Sequence, residues 1–136
     1  MRILPSLLAP AALFATLSGC YRAVEDPIYT PCLIAGSSDW RAFTEADGKD
    51  RRLVVTGTVV VPTGGHHVTL ERGYVQELEP PHQQVILRSV PPDGPATQAL
   101  VTHRVSEGFE AVKDLGGVTV RCGDRVLAVI EPVEAR

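Results

Sequence analysis

Three cysteines and four histidines carry most of the chemical potential of this 136-residue chain. Cys20, Cys32 and Cys122 are its only thiols, and a thiol serves as nucleophile, metal ligand or half of a disulfide. His66, His67, His82 and His103 are the residues able to ligate a metal or carry a proton near neutral pH. Their spacing offers no C-x-x-C and no H-x-x-x-H companion, so a zinc site is disfavoured. His66 and His67 are adjacent at the expected start of a strand and point to opposite faces, which keeps them out of one tetrahedral site. His103 stands among apolar strand neighbours. G-x-S-x-G, G-x-x-x-x-G-K, G-x-G-x-x-G and H-E-x-x-H are all missing. The expectation is therefore no catalytic residue, no metal and no cofactor, although a pair of carboxylates leaves no linear trace. A competing reading, a small hydrolase or metal protein, would use His66, His67 or His82 with nearby carboxylates.

The surroundings of Cys20 are more specific. Met1-Arg2 is followed by Ile3 to Gly19, which contains no charged residue, the layout of a secretory signal peptide. Pro5 and Pro10 interrupt the run, and it falls short of the roughly 20 apolar residues that span a bilayer comfortably. Its end, Leu17-Ser18-Gly19-Cys20, resembles the lipobox of bacterial lipoproteins. That resemblance implies cleavage between Gly19 and Cys20 and acylation of Cys20 on sulfur and on the new amino terminus. Two or three acyl chains suffice for stable anchoring where one is marginal. Residue 21 is Tyr, not the Asp that marks inner-membrane retention in Gram-negative lipoproteins. The resemblance thus implies an outer-membrane protein facing the periplasm if the source is Gram-negative; a secreted or periplasmic chain is the alternative.

With Cys20 lipidated, Cys32 and Cys122 remain as one pair in an oxidising compartment, and a disulfide is expected between them. It would close a loop of roughly 90 residues, worth about 4 to 5 kcal/mol in the chain-entropy model. Two buried free thiols are the alternative.

Composition narrows the partners. Hydrophobic residues make up 44% and charged residues 21%, with 13 Lys+Arg against 16 Asp+Glu and a net charge of -3. One domain of ordinary size accounts for this length. No basic surplus exists to neutralise phosphates, and aromatics at 5% give no base-stacking platform, so nucleic acid is not an expected partner. Loss of Arg2 with the signal makes the domain slightly more acidic. The acyl chains, not a polybasic patch, would then hold it to the membrane. Asparagine is absent, which excludes N-linked glycosylation.

Residues 1–19 are thus assigned to the signal peptide, 20–31 to a tether and 32–136 to a domain. Fully extended, the tether reaches at most about 40 Å. Beyond it the hydrophobic period is 2. Arg51 to Val61 is dense in Val and Thr and stops at Pro62-Thr63-Gly64-Gly65; with His66 to Leu70 it reads as an antiparallel hairpin. Gln83 to Val90 is a third strand, ended by Pro91-Pro92-Asp93-Gly94-Pro95. Ala99 to Val105 is a fourth, with Ala99, Val101, His103 and Val105 on one face and Leu100, Thr102 and Arg104 on the other. Val118 to Cys122 and Arg125 to Ile130 flank Gly123-Asp124, the signature of a tight hairpin, in which a two-residue turn sets Val120 opposite Leu127 and Val118 opposite Val129. Ser38 to Ala46 reads as a strand with Trp40, Ala42 and Thr44 inward, or as a short helix capped by Ser38 or Asp39; the β surroundings favour the strand. Trp40 is expected to fill the core, and Arg51-Arg52 and Arg121/Arg125 to protect strand edges.

About six or seven such strands, separated by Pro and Gly, predict an all-β fold, an antiparallel immunoglobulin-like β-sandwich, with a small barrel as the alternative. The stretches Val55 to Leu70, Pro91 to Val101 and Val120 to Asp124 resemble short secreted or lipid-anchored bacterial proteins of no assigned function, a likeness that carries over no catalytic residue. The expected function is a lipid-anchored cell-envelope module that binds an envelope protein or other macromolecule without catalysis. A proteinase-inhibitor-like module presenting the rigid Pro91 to Pro95 loop is a second possibility.

Overall fold

From Leu53 to Val61 every second residue is apolar or glycine, and that set is the buried one: Leu53, Val55, Gly57, Val59 and Val61. Such alternation leaves the chain one way to hide its apolar atoms, a strand with one face on a core. The computed structural model describes residues 31–136; the expected signal peptide, Cys20 and the tether as far as residue 30 lie outside the described residues. The strands are β1 (Gly36–Asp47), β2 (Asp50–Val61), β3 (His67–Gln76), β4 (His82–Val90), β5 (Val101–Glu110), β6 (Gly117–Cys122), β7 (Arg125–Ile130) and the short β8 (Glu134–Ala135).

They form two four-stranded sheets, ordered β5-β2-β1-β8 and β3-β4-β6-β7. The fold is the expected all-β sandwich and not a closed barrel. Two pairings, β1 with β8 and β4 with β6, run parallel within otherwise antiparallel sheets. Ser38 to Ala46 is strand, with Ala42 and Thr44 buried and Trp40 packed on the core. The core is small and valine-rich: Leu53, Val55, Val59, Val61, Val85, Val118 and Val120 show no exposed surface.

Three local expectations are corrected. Arg51 to Val61 and His66 to Leu70 do not pair, because β2 and β3 lie in different sheets. The Pro62 to His66 turn carries the chain from one sheet to the other, and β2 pairs instead with β1 and β5. In the last hairpin the two-residue turn at Gly123-Asp124 is present, but the register shifts between Val120 and Arg121. Val120 therefore faces Ala128 and Val118 faces Ile130, and Val129 is left 58% exposed. Arg51, Arg52 and Arg121 lie on interior strands, so of the four arginines only Arg125 is on an edge strand. Arg51 bonds the Thr44 hydroxyl (2.9 Å) and carbonyl (3.1 Å), and Arg121 donates to the Asp124 carbonyl.

A β-bulge in β1 decides which way its early side chains face. Ser38 pairs with Thr58 and Arg41 with Thr56, so Asp39 and Trp40 together oppose Gly57. Asp39 takes the left-handed conformation that such an insertion requires (φ 55°). The extra residue brings Trp40 inward over Gly57 and leaves Arg41 outward. A Cβ on Gly57 would fall 2.3 Å from the Trp40 ring. Gly57→Val is therefore expected to lower stability by about 1 to 3 kcal/mol through overpacking, measured by urea denaturation. Gly36→Ala, with nothing within 4 Å of the new methyl, serves as the control and should leave the midpoint nearly unchanged.

Candidate functional site

The chain enters the sandwich through residues 31–35, a strap that precedes β1 and belongs to neither sheet. Cys32 is disulfide-bonded to Cys122, the last residue of β6, as expected. The Leu33 carbonyl accepts a hydrogen bond from the Ser89 hydroxyl of β4 (3.1 Å), and the Ala35 amide donates to Val60 of β2 (2.7 Å). One short segment is thus fastened to both sheets.

His66 belongs to this arrangement. It is buried, and its Nδ1 lies 2.9 Å from the Ser89 hydroxyl. That hydroxyl has a single hydrogen, committed to the Leu33 carbonyl, so Nδ1 of His66 supplies the other one. The pair resembles a nucleophile and base only in composition: its hydrogens run from His66 through Ser89 to the strap, which fixes the turn before β3 against the strap. The sequence points to a solvated turn histidine here, and alternation alone does not reveal this partner.

The remaining histidines are scattered. His67 is exposed at the start of β3, whereas His82 opens the antiparallel β4 and pairs with Gln76 at the opposite end of that hairpin. His66 and His82 are therefore at opposite ends of one sheet. His82 Nε2 meets Glu131 Oε1 at 3.0 Å, and its ring lies over Gly117, where a Cβ would fall 2.5 Å from Cε1. His103 faces inward on β5, between Val101 and Val105, and its Nε2 is buried without a hydrogen-bond partner among the described residues. Among the described residues no three His, Cys, Asp or Glu side chains gather to hold a metal ion.

The polar concavity that the sequence analysis missed lies on the outer face of the β5-β2-β1-β8 sheet. It is a groove of about 580 Å³ lined by Asp39, Arg41, Thr56, Thr58, Arg104 and Ser106. Two rows of outward residues build it, Arg41 with Thr56 and Ser106, and Thr58 with Arg104. Part of the signal is present in the sequence, since Thr102 and Arg104 fall on the outward face by alternation. Arg41 falls outward by the same alternation, between the inward Trp40 and Ala42, but alternation does not reveal that strand pairing sets it beside Thr56 and Ser106. A second concavity, about 670 Å³, lies at the far end of the sandwich and includes Lys49, Asp50, Lys113 and Asp114. Its charges are mixed, and its Arg51 is already bonded to Thr44.

Comparison of the chain with family models, with curated proteins and with solved structures finds no match. The reading of the site therefore rests on its own geometry.

Replacing His66 by Ala removes a buried hydrogen bond to the strap's anchor and is expected to cost about 1 to 3 kcal/mol. His67→Ala at the exposed neighbouring position should change stability by no more than about 0.5 kcal/mol. Equilibrium urea denaturation of the two variants checks the contrast.

Proposed function

We propose that this protein is a lipid-anchored module of the bacterial cell envelope, held to the membrane through acylated Cys20, which binds another macromolecule without catalysis. In a Gram-negative source it faces the periplasm from the outer membrane.

One observation carries the reading: the entry strap is bonded covalently to β6 and by hydrogen bonds to β4 and β2. A tether that begins at a lipid and ends in such a strap transmits force into the core and not into a fraying terminus. The resemblance of Leu17-Ser18-Gly19-Cys20 to a lipobox supplies the anchor. The tether of about 40 Å at full extension keeps the domain close to its membrane. A disulfide also suits an oxidising compartment. The polar groove of Arg41 and Arg104, on an outer sheet face, supports binding as the activity.

Intact mass spectrometry of the protein from its host is expected to give a chain that begins at Cys20, carries acyl groups and lacks the hydrogens lost in forming the Cys32–Cys122 bridge. Cys20→Ser should abolish palmitate labelling and release the protein from the membrane fraction. An unacylated chain, or labelling that persists in Cys20→Ser, contradicts the anchored reading.

A further inference from the structure

We infer that the outer face of the β5-β2-β1-β8 sheet is a binding site for an acidic oligosaccharide, with Arg41 and Arg104 receiving its carboxylates and the row of hydroxyls between them receiving its hydroxyl groups. This names the ligand class of the binding module proposed above and rests on that reading, but not on the lipid anchor.

Arg41 and Arg104 are exposed, and among the described residues neither enters an ion pair or a side-chain hydrogen bond. Two such guanidiniums sharing one groove are notable in a chain whose net charge is -3. The single acid in the groove, Asp39, accepts a hydrogen bond from Ser38 (3.1 Å) and makes no ion pair among the described residues. The groove therefore carries a local positive surplus.

The rest of the lining specifies more than charge. Thr56, Thr58 and Ser106 offer hydroxyls that both donate and accept, and Asp39 offers an acceptor, the complement needed by a ligand rich in hydroxyl groups. Guanidinium forks match carboxylates with two parallel hydrogen bonds. The groove, about 580 Å³, is within the range of small-ligand sites. Arg41 is on β1 and Arg104 on β5, with β2 between them. Two strand spacings across and two residues along the strand set their Cα atoms roughly 12 Å apart, so a ligand that meets each guanidinium with its own carboxylate must be extended. The fitting ligand bears acids on separate sugar units.

The bulge ties this site to the fold. The insertion sets Asp39 and Trp40 together opposite Gly57, so that Ser38 before it and Arg41 after it both face outward, beside Thr58 and Thr56. Bulges commonly re-aim side chains beside binding sites.

The test is calorimetric titration of the full-length protein in detergent with trigalacturonate, with neutral maltotriose and inorganic phosphate as separate arms. Binding of trigalacturonate is expected, weakening with added salt and about tenfold or more in each of Arg41→Ala and Arg104→Ala. Thr58→Val should weaken it several-fold, and maltotriose should not bind. Both arginines are exposed, so the denaturation midpoints of their variants should match the parent. Absence of trigalacturonate binding to the folded protein, unchanged affinity in both arginine variants, or equal affinity for phosphate would overturn the inference. Acylation of Cys20, read separately by mass, distinguishes failure of this site from failure of the anchor.

Discussion

Cys32 sits in a strap outside both sheets and Cys122 ends β6, so the bond between them joins the chain's entry point to the interior of the sandwich. Cys122 is 1% exposed and counts among the core residues beside Val118 and Val120. The bridge encloses 90 positions of sequence, nearly all of the domain. A cross-link of that span removes much of the unfolded chain's freedom. The effect matters here because the core is thin. It is built mainly from valines, with aromatics at 5% of the sequence and a single tryptophan. Small domains with limited apolar surface to bury depend on such staples.

The bridge also organises the polar contacts at the same end. With Cys32 held at β6, the Leu33 carbonyl reaches the Ser89 hydroxyl, and His66 completes the chain of hydrogen bonds from behind. The turn leading from β2 to β3 is thereby fixed at the point where the chain crosses between sheets. Pro92 beside Gly65, and the Gly64 amide bonded to Thr97, pack the next crossing over the same end. The groove of Arg41 and Arg104 lies on the outside of this frame, on β1, β2 and β5, strands already paired in the sheet. Side chains on paired strands are held more rigidly than side chains on loops, which suits a recognition surface.

Much of this architecture is legible in the letters, for a physical reason. Period-2 alternation is a local consequence of burying one face, so β2, β4 and the inward face of β5 can be read from the alternation between Leu53 and Val61 and from Val101, His103 and Val105. The Gly123-Asp124 turn is readable because the backbone there needs a left-handed residue, and Gly123 has φ 58°. Partnering between strands is not readable in the same way. The four residues at Pro62 to Gly65 are compatible with a hairpin and with a crossing, and only packing against the second sheet selects the crossing. Bulges escape for a related reason. One inserted residue near Leu127 costs little locally, yet it shifts the pairing beyond it, and so the Val118 to Ile130 pairing stays hidden, as does the bulge at Asp39. The burial of His66 is equally silent, because its environment is made by Ser89 and Leu33, both distant in sequence.

Equilibrium urea denaturation of the disulfide-bonded protein against the Cys32→Ser/Cys122→Ser double variant tests the organising role of the bridge most directly. The account predicts a loss of about 4 to 5 kcal/mol in the variant. Stability within about 0.5 kcal/mol of the parent would contradict it, and would mean that the valine core alone holds the two sheets together.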